Sequence, residues 1–174
     1  MRKVFIGCSS FDSIDDVYKD YAYNIADICA KKEYGLVFGT RLSGMMGALY
    51  ERYIDSDLTI TAVCDKDFIE DINYLDKKRV EVVVTSSIES QIKEFMKCDK
   101  IIYLPGGYGT LTELTYLINE KANNIHNKDI IIVNINNFYD KLLEHFDKCF
   151  KEKFTNDNSL YKVINSYEEL DNYL

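Results

Sequence analysis

The segment from Pro105 to Thr110, with Glu113 close behind it, holds the residue types in this chain best suited to chemistry. Backbone N–H groups can converge at a glycine-rich turn because no side chains obstruct them. A helix that starts there adds partial positive charge. The turn therefore predicts a phosphate site, although a plain strand–helix turn that needs glycines for its geometry is the alternative. The ligand-binding residues predicted in this turn are Gly106, Gly107, Tyr108, Gly109 and Thr110.

Glu113 is the candidate catalytic carboxylate. We expect it in the first turn of the helix, where the macrodipole favours its ionised form. An ionised carboxylate can stabilise an oxocarbenium ion or polarise a water molecule. The alternative is a capping role, because a Glu three residues after Thr110 fits a capping box.

Strands and helices must alternate along the chain to position these residues. Short apolar runs predict strands at 3–8, 35–38, 58–63, 80–84, 100–104, 129–134 and 161–164. Apolar residues at helical spacing predict helices at 15–32, 44–54, 87–98, 110–122 and 138–150, with a polar helix at the end. We therefore predict one α/β domain over residues 1–174, with a Rossmann-like, doubly wound, mostly parallel sheet and helices on both faces.

Three polar or glycine-rich turns follow predicted strands, at 7–10, 39–47 and 105–110. Because ligands bind beyond the carboxyl ends of such strands, we expect the three turns to face one crevice. Ser9 and Ser10 would bind the ligand there, unless they serve turn or cap chemistry. The polar stretch 65–79 predicts a surface excursion that is partly helical.

Charge and composition limit the kinds of partner, compartment and metal site that we expect. The 174 residues carry a net charge of −8, which disfavours nucleic acid and anionic membranes. The five cysteines are scattered, which predicts reduced thiols and a cytoplasmic protein, with Cys8 as a small buried residue. The two histidines lack metal-ligand spacing, so we predict no metal site.

Residues 105–113 match a PGGxGTxxE motif at every fixed position. In this they resemble the LOG-type cytokinin riboside 5′-monophosphate phosphoribohydrolases, many of which were once labelled lysine decarboxylases. Gly7–Ser10 and Gly44–Gly47 resemble two further signatures of that family, in the same order along the chain. The resemblance spans roughly residues 3–135.

The resemblance implies a Rossmann-like homodimer that cleaves the N-glycosidic bond of a nucleoside 5′-monophosphate without a metal or redox cofactor. The products would be a free base and ribose 5-phosphate. It also implies that Glu113 is catalytic and that Glu89 binds ribose hydroxyls. We expect Gly44 to let its helix approach the ligand or the sheet closely. An exposed helix charge is the alternative for Glu89. We expect the helices at 87–98 and 110–122 to form the dimer contact.

Two departures from the family pattern affect catalysis. The position of the family's catalytic Arg holds Ser90, and the following Lys position holds Gln91. The family's YGGG turn reads Phe38-Gly39-Thr40-Arg41, so we hypothesise that Arg41 supplies the missing cation. The alternative function is a nucleotide-binding sensor or regulatory protein that kept the pocket and lost the chemistry.

Overall fold

A computed structural model describes all 174 residues, and at its centre lies a seven-stranded sheet. The strands are β1 (Lys3–Gly7), β2 (Gly35–Phe38), β3 (Ile60–Asp65), β4 (Val80–Thr85), β5 (Lys100–Tyr103), β6 (Ile130–Val133) and β7 (Lys162–Ile164). Their spatial order is β4-β3-β2-β1-β5-β6-β7, and every neighbouring pair is parallel. The predicted α/β architecture is confirmed, with a sheet that is parallel throughout.

Five α-helices connect the strands. They are α1 (Asp16–Lys31), α2 (Gly44–Ile54), α3 (Ile88–Phe95), α4 (Tyr108–Ala122) and α5 (Asp140–Lys151). Short 3-10 segments lie at Lys66–Tyr74, Ile135–Asn137 and Glu168–Asn172, so the expected final helix is only a 3-10 segment. None of the helices combines the length and apolar character needed to cross a membrane.

The sheet separates two hydrophobic layers. A cluster of 26 buried residues lies on the side of α1 and α2, and a cluster of 13 lies on the side of α3 and α4. Strand β1 contributes to both, because successive side chains point to opposite faces: Val4 and Ile6 join the larger cluster and Phe5 the smaller. Burial on both faces explains why the strands read as continuous apolar runs.

The strand order reverses at β1, which pairs with β2 on one side and with β5 on the other. Gly7, the last residue of β1, lies in register with Tyr103, the last residue of β5. A reversal of this kind opens a crevice beyond the carboxyl ends of the strands. The turns that follow β1, β2 and β5 all begin at this edge.

Candidate functional site

The three predicted turns meet at the carboxyl edge of the sheet. Ser9 N donates a hydrogen bond of 3.1 Å to Pro105 O, which links the turns after β1 and β5. Ser43 Oγ donates a bond of 2.6 Å to Ser10 O, which links the turns after β1 and β2. The prediction that these turns share one crevice is confirmed.

The crevice contains a cavity of about 410 Å³. Its walls come from the turns after β1 and β2, the 3-10 segment after β3, helix α3 and the start of α4. A volume of this size is typical of sites for small organic ligands.

The start of α4 forms one wall of the cavity. The helix begins at Tyr108, its N-cap is Gly107, and no side chain caps its first turn. Gly107, Tyr108, Gly109 and Thr110 all line the cavity, and Tyr108 is 91% exposed. Because the first N–H groups of a helix lack partners within the helix, this end can receive an anion.

The structure gives different explanations for the glycines of this turn. A side chain at Gly106 would collide with the side chain of Thr110, so packing requires a glycine there. A Cβ atom at Gly107 or Gly109 would meet nothing within 4 Å, and neither residue has a positive φ. The plain-turn alternative therefore explains Gly106 alone. The fold does not demand glycine at 107 or 109, and both lie where a ligand could approach the backbone.

Gly44 has a structural role. Its φ is +57°, and a Cβ atom there would lie 2.6 Å from Phe11 O. Its N–H group donates a bond of 2.7 Å to Asp12 Oδ1. The expected close approach is therefore to the turn after β1, and the residues that line the cavity do not include Gly44.

Glu113 lines the cavity, although its local setting differs from the expected one. Since α4 begins at Tyr108, Glu113 is the sixth residue of the helix and lies in its second turn. The expected first-turn position is therefore wrong. The capping-box alternative is wrong as well, because the N-cap is Gly107 and the position that would complete the box is Thr110.

Burial also reverses the expected charge state of Glu113. Loss of most of its hydration raises the pKa of the carboxyl group to about 8, and burial is the only cause of this shift. The helix dipole acts mainly within the first turn, so it does not offset the loss of hydration. Glu113 is therefore mostly protonated at neutral pH, whereas the sequence predicted an ionised group.

Cys8 lines the same cavity as Glu113 and is buried, as predicted. Burial raises the pKa of its thiol, and the nearby Glu113 charge raises it further. A thiol that stays protonated is a poor nucleophile, so Cys8 has no role as an attacking group.

Arg41 faces the cavity from the turn after β2. Arg41 Nε lies 3.1 Å from Asp71 Oδ2, and the guanidinium carbon lies 5.0 Å from the centre of the Phe68 ring. Sequence reasoning missed Asp71, Phe68 and Asp65, which also line the cavity, because the stretch 65–79 was interpreted as a surface excursion. Its position directly after a parallel strand was the signal that could have placed it at this edge.

Ser90 caps the start of α3. Its Oγ accepts a bond of 3.1 Å from Ser87 N and donates one of 2.7 Å to Ser87 O. Glu89 lies exposed on the same first turn, where a hydrogen bond from Ser87 lowers its pKa. Gln91 is the residue of this turn that reaches the cavity together with Ile88. The position of Glu89 thus corresponds to the exposed alternative.

Ser9 and Ser10 both line the cavity. Ser9 Oγ also accepts a bond of 3.2 Å from Phe11 N, which is the turn role left open by the sequence. The Ser10 carbonyl is occupied by Ser43, as described above. Both residues thus shape the turn and border the cavity.

The family model described as "Possible lysine decarboxylase" matches residues 46–174, more than half of the chain. The cytokinin riboside 5′-monophosphate phosphoribohydrolase LOG2 of Arabidopsis thaliana is 28% identical over 167 residues, which cover 95% of this chain and 78% of that protein. The probable LOGL2 enzyme of Oryza sativa subsp. japonica is 27% identical over 165 residues, which cover 94% and 67%.

Solved structures share the fold at lower identity. The molybdenum cofactor binding protein from Rippkaea orientalis superposes with a TM-score of 0.67 at 14% identity, over 99% of this chain and 95% of that one. The Moco carrier protein from Chlamydomonas reinhardtii superposes with a TM-score of 0.68 at 13% identity, over 97% and 92%. These likenesses support the Rossmann-type architecture.

Proposed function

This chain belongs to the LOG family, whose family model is described as "Possible lysine decarboxylase", and from that premise we propose that it hydrolyses a nucleoside 5′-monophosphate. The bond cleaved is the N-glycosidic bond, and the products are a free base and ribose 5-phosphate. The substrate is AMP or a cytokinin riboside monophosphate, by analogy with the activity of the relatives. At the level of the family, the activity is that of a hydrolase.

One observation carries the proposal. The uncapped start of α4 offers free N–H groups beneath open space at Gly107 and Gly109, and Glu113 lines the same cavity one helical turn away. A phosphate held by those N–H groups would place the attached ribose next to the carboxyl group. Binding and chemistry would thus depend on two consecutive turns of a single helix.

The protonated state of Glu113 suits it to act as a general acid. N-glycoside cleavage passes through a sugar with oxocarbenium character, and the departing base needs a proton. Glu113 gives its proton to the base nitrogen as the C–N bond breaks. A water molecule then forms the new C–O bond at the anomeric carbon and returns a proton to the Glu113 carboxylate, so that the cycle closes without net loss of a proton.

Arg41 supplies the only cationic side chain that lines the cavity. In the proposed mechanism it binds the nucleotide from the wall opposite α4. Its pairing with Asp71 fixes the guanidinium group and also reduces the net positive charge that it offers.

The second candidate is the sensor or regulatory protein that binds a nucleotide without cleaving it. It is favoured by the first turn of α3, where Ser90 serves as a cap and the neutral Gln91 borders the cavity. Both functions predict nucleotide binding, and only the enzyme predicts release of ribose 5-phosphate.

A base-release assay separates the two candidates. We would incubate the protein with AMP, CMP, GMP, UMP and isopentenyl-AMP and measure free base and ribose 5-phosphate, with calorimetry for binding. Release that depends on Glu113 supports the enzyme, and the Glu113→Gln variant is the matched control. Binding without release from any of the five nucleotides would favour the sensor.

A further inference from the structure

Tyr103 is a buried polar residue that the mechanism above does not use. It is the last residue of β5, just before the turn that leads to α4, and its side chain is fully buried. Its hydroxyl is the one buried side-chain nitrogen or oxygen atom in the structure without a hydrogen-bond partner. An unsatisfied buried hydroxyl is costly, so it calls for a partner that forms under other conditions.

The Tyr103 ring packs against Gly7, a residue that lines the cavity. A Cβ atom at Gly7 would lie only 2.6 Å from Tyr103 Cε1, so Gly7 must be a glycine for the ring to fit. Gly7 and Glu113 both line the cavity. Burial raises the pKa of Tyr103, and the negative charge that Glu113 carries when ionised raises it further.

Two other polar groups near Glu113 and Tyr103 are less suited to donate a hydrogen bond to the carboxyl group. Tyr139, which follows β6, donates its hydroxyl to Leu104 O at 2.7 Å. The Cys8 thiol on the β1 side is a weak donor that stays protonated. The phenol of Tyr103 is therefore the buried donor in this neighbourhood that has no partner.

Charged groups elsewhere in the cavity come from other walls. Arg41 faces Asp71, and Asp65 caps the 3-10 segment through its bond to Asp67 N. None of them contributes to the raised pKa of Glu113, which burial alone causes. The proton affinity of Glu113 therefore depends on its immediate surroundings.

We infer that Tyr103 is a positioning residue for Glu113, and that its hydroxyl donates a hydrogen bond to the Glu113 carboxylate when that group is ionised. A hydrogen bond to a charged acceptor is stronger than one to a neutral acceptor, so the bond forms as the proton leaves. In the proposed hydrolysis this would stabilise the carboxylate that remains after Glu113 has protonated the base. Only that catalytic consequence rests on the proposed function.

The test is an NMR titration of Glu113 without substrate. Protein labelled with ¹³C at the glutamate carboxyl groups is titrated from pH 5 to pH 10, and Glu113→Gln assigns the signal. Tyr103→Phe removes only the hydroxyl and should raise the pKa of Glu113 by about one unit, since a donor to the charged form is lost. Tyr139→Phe, which removes a nearby hydroxyl with its own partner, should change the midpoint much less. An unchanged midpoint in Tyr103→Phe overturns the inference.

A second measurement covers the case in which Tyr103→Phe does not fold. In the wild-type protein, the Tyr103 hydroxyl proton should become protected from exchange and shift downfield as Glu113 ionises, and Glu113→Gln should abolish this change. A hydroxyl proton that behaves identically in both proteins contradicts the inference. Neither experiment needs turnover. A failed hydrolysis assay would therefore contradict the proposed function, and the NMR results would still test the hydrogen bond between Tyr103 and Glu113.

Discussion

Arg41 and Asp71 form an ion pair of 3.1 Å that joins the turn after β2 to the 3-10 segment Lys66–Tyr74 across one wall of the cavity. The two residues are thirty positions apart in the chain. The pair lies at the carboxyl edge of neighbouring strands β2 and β3, opposite the start of α4. Because the pair lies at the cavity, a substitution of Arg41 tests whether this residue binds the ligand or only stabilises the fold.

Replacement of Arg41 by Ala should weaken nucleotide binding or turnover by about tenfold or more, because the cavity loses its only cationic side chain. The free energy of unfolding should change by less than about 1 kcal/mol, since the pair is partly exposed. Lys141→Ala, which breaks the exposed pair with Glu144 away from the cavity, is the matched control. If Arg41→Ala kept wild-type affinity and turnover, this arginine would have only a structural role.

The general-acid role of Glu113 predicts a specific pH profile. Because its pKa is about 8 and the protonated form is the active one, kcat/KM should fall as the pH rises above about 8. Glu113→Gln should lose roughly 10²- to 10⁴-fold in kcat and no longer show this decline. Steady-state rates between pH 6 and pH 10 provide the measurement. A profile that instead rises through pH 8 would mean that the ionised carboxylate is the active form.

The same carboxyl group should make stability depend on pH. Its pKa is about 8 in the folded protein and about 4.5 when exposed, so the folded state binds the extra proton between these values. This contribution to stability is complete below about pH 4.5 and is lost as the pH rises to about 8.

Glu113→Gln removes this pH dependence. At pH 8 the variant should be more stable than the wild type by about 2 kcal/mol, because it has no charge to bury. The difference is no larger because a carboxyl group that borders an open cavity keeps part of its hydration. Urea unfolding at pH 5 and pH 8 measures the difference. Equal changes in the two proteins between these pH values would show that the group is not desolvated.

The glycines of the α4 turn should separate folding from binding. Gly109→Ala should leave the fold intact or stabilise it by about 0.5–1 kcal/mol, because the position is helical and a Cβ atom there meets open space. It should nevertheless weaken the binding of AMP, since a methyl group would stand between the N–H groups and the phosphate. Calorimetry and thermal unfolding measure the two effects.

Gly106→Ala is the opposite case within the same turn. Its added methyl group would collide with Thr110, so this variant should lose stability by about 1–3 kcal/mol. If Gly109→Ala bound AMP as tightly as the wild type, the phosphate site would lie elsewhere.

The positions of the strands and the parallel sheet were available from the sequence. Apolar runs such as Ile130–Val133 fill strands that are buried on both faces, and alternation with helices leaves few topologies. The three turns were correctly assigned to one crevice for the same reason: parallel strands end at the same edge. Local pattern suffices for such features because the atoms involved are neighbours along the chain or follow from the strand direction.

Only the tertiary structure decided the chemistry of the site. The pKa of Glu113, the pairing of Arg41 with Asp71 and the missing partner of the Tyr103 hydroxyl all depend on atoms that are distant in sequence. Because α4 begins at Tyr108 and not at residue 110 as predicted, Glu113 lies in the second turn of the helix. Its carboxyl group is therefore desolvated there, whereas a first-turn position would have let the helix dipole stabilise its charge. Hydration and charge pairing are properties of the space around a group, so the order of residues determined which groups were available and the packing determined their charge state.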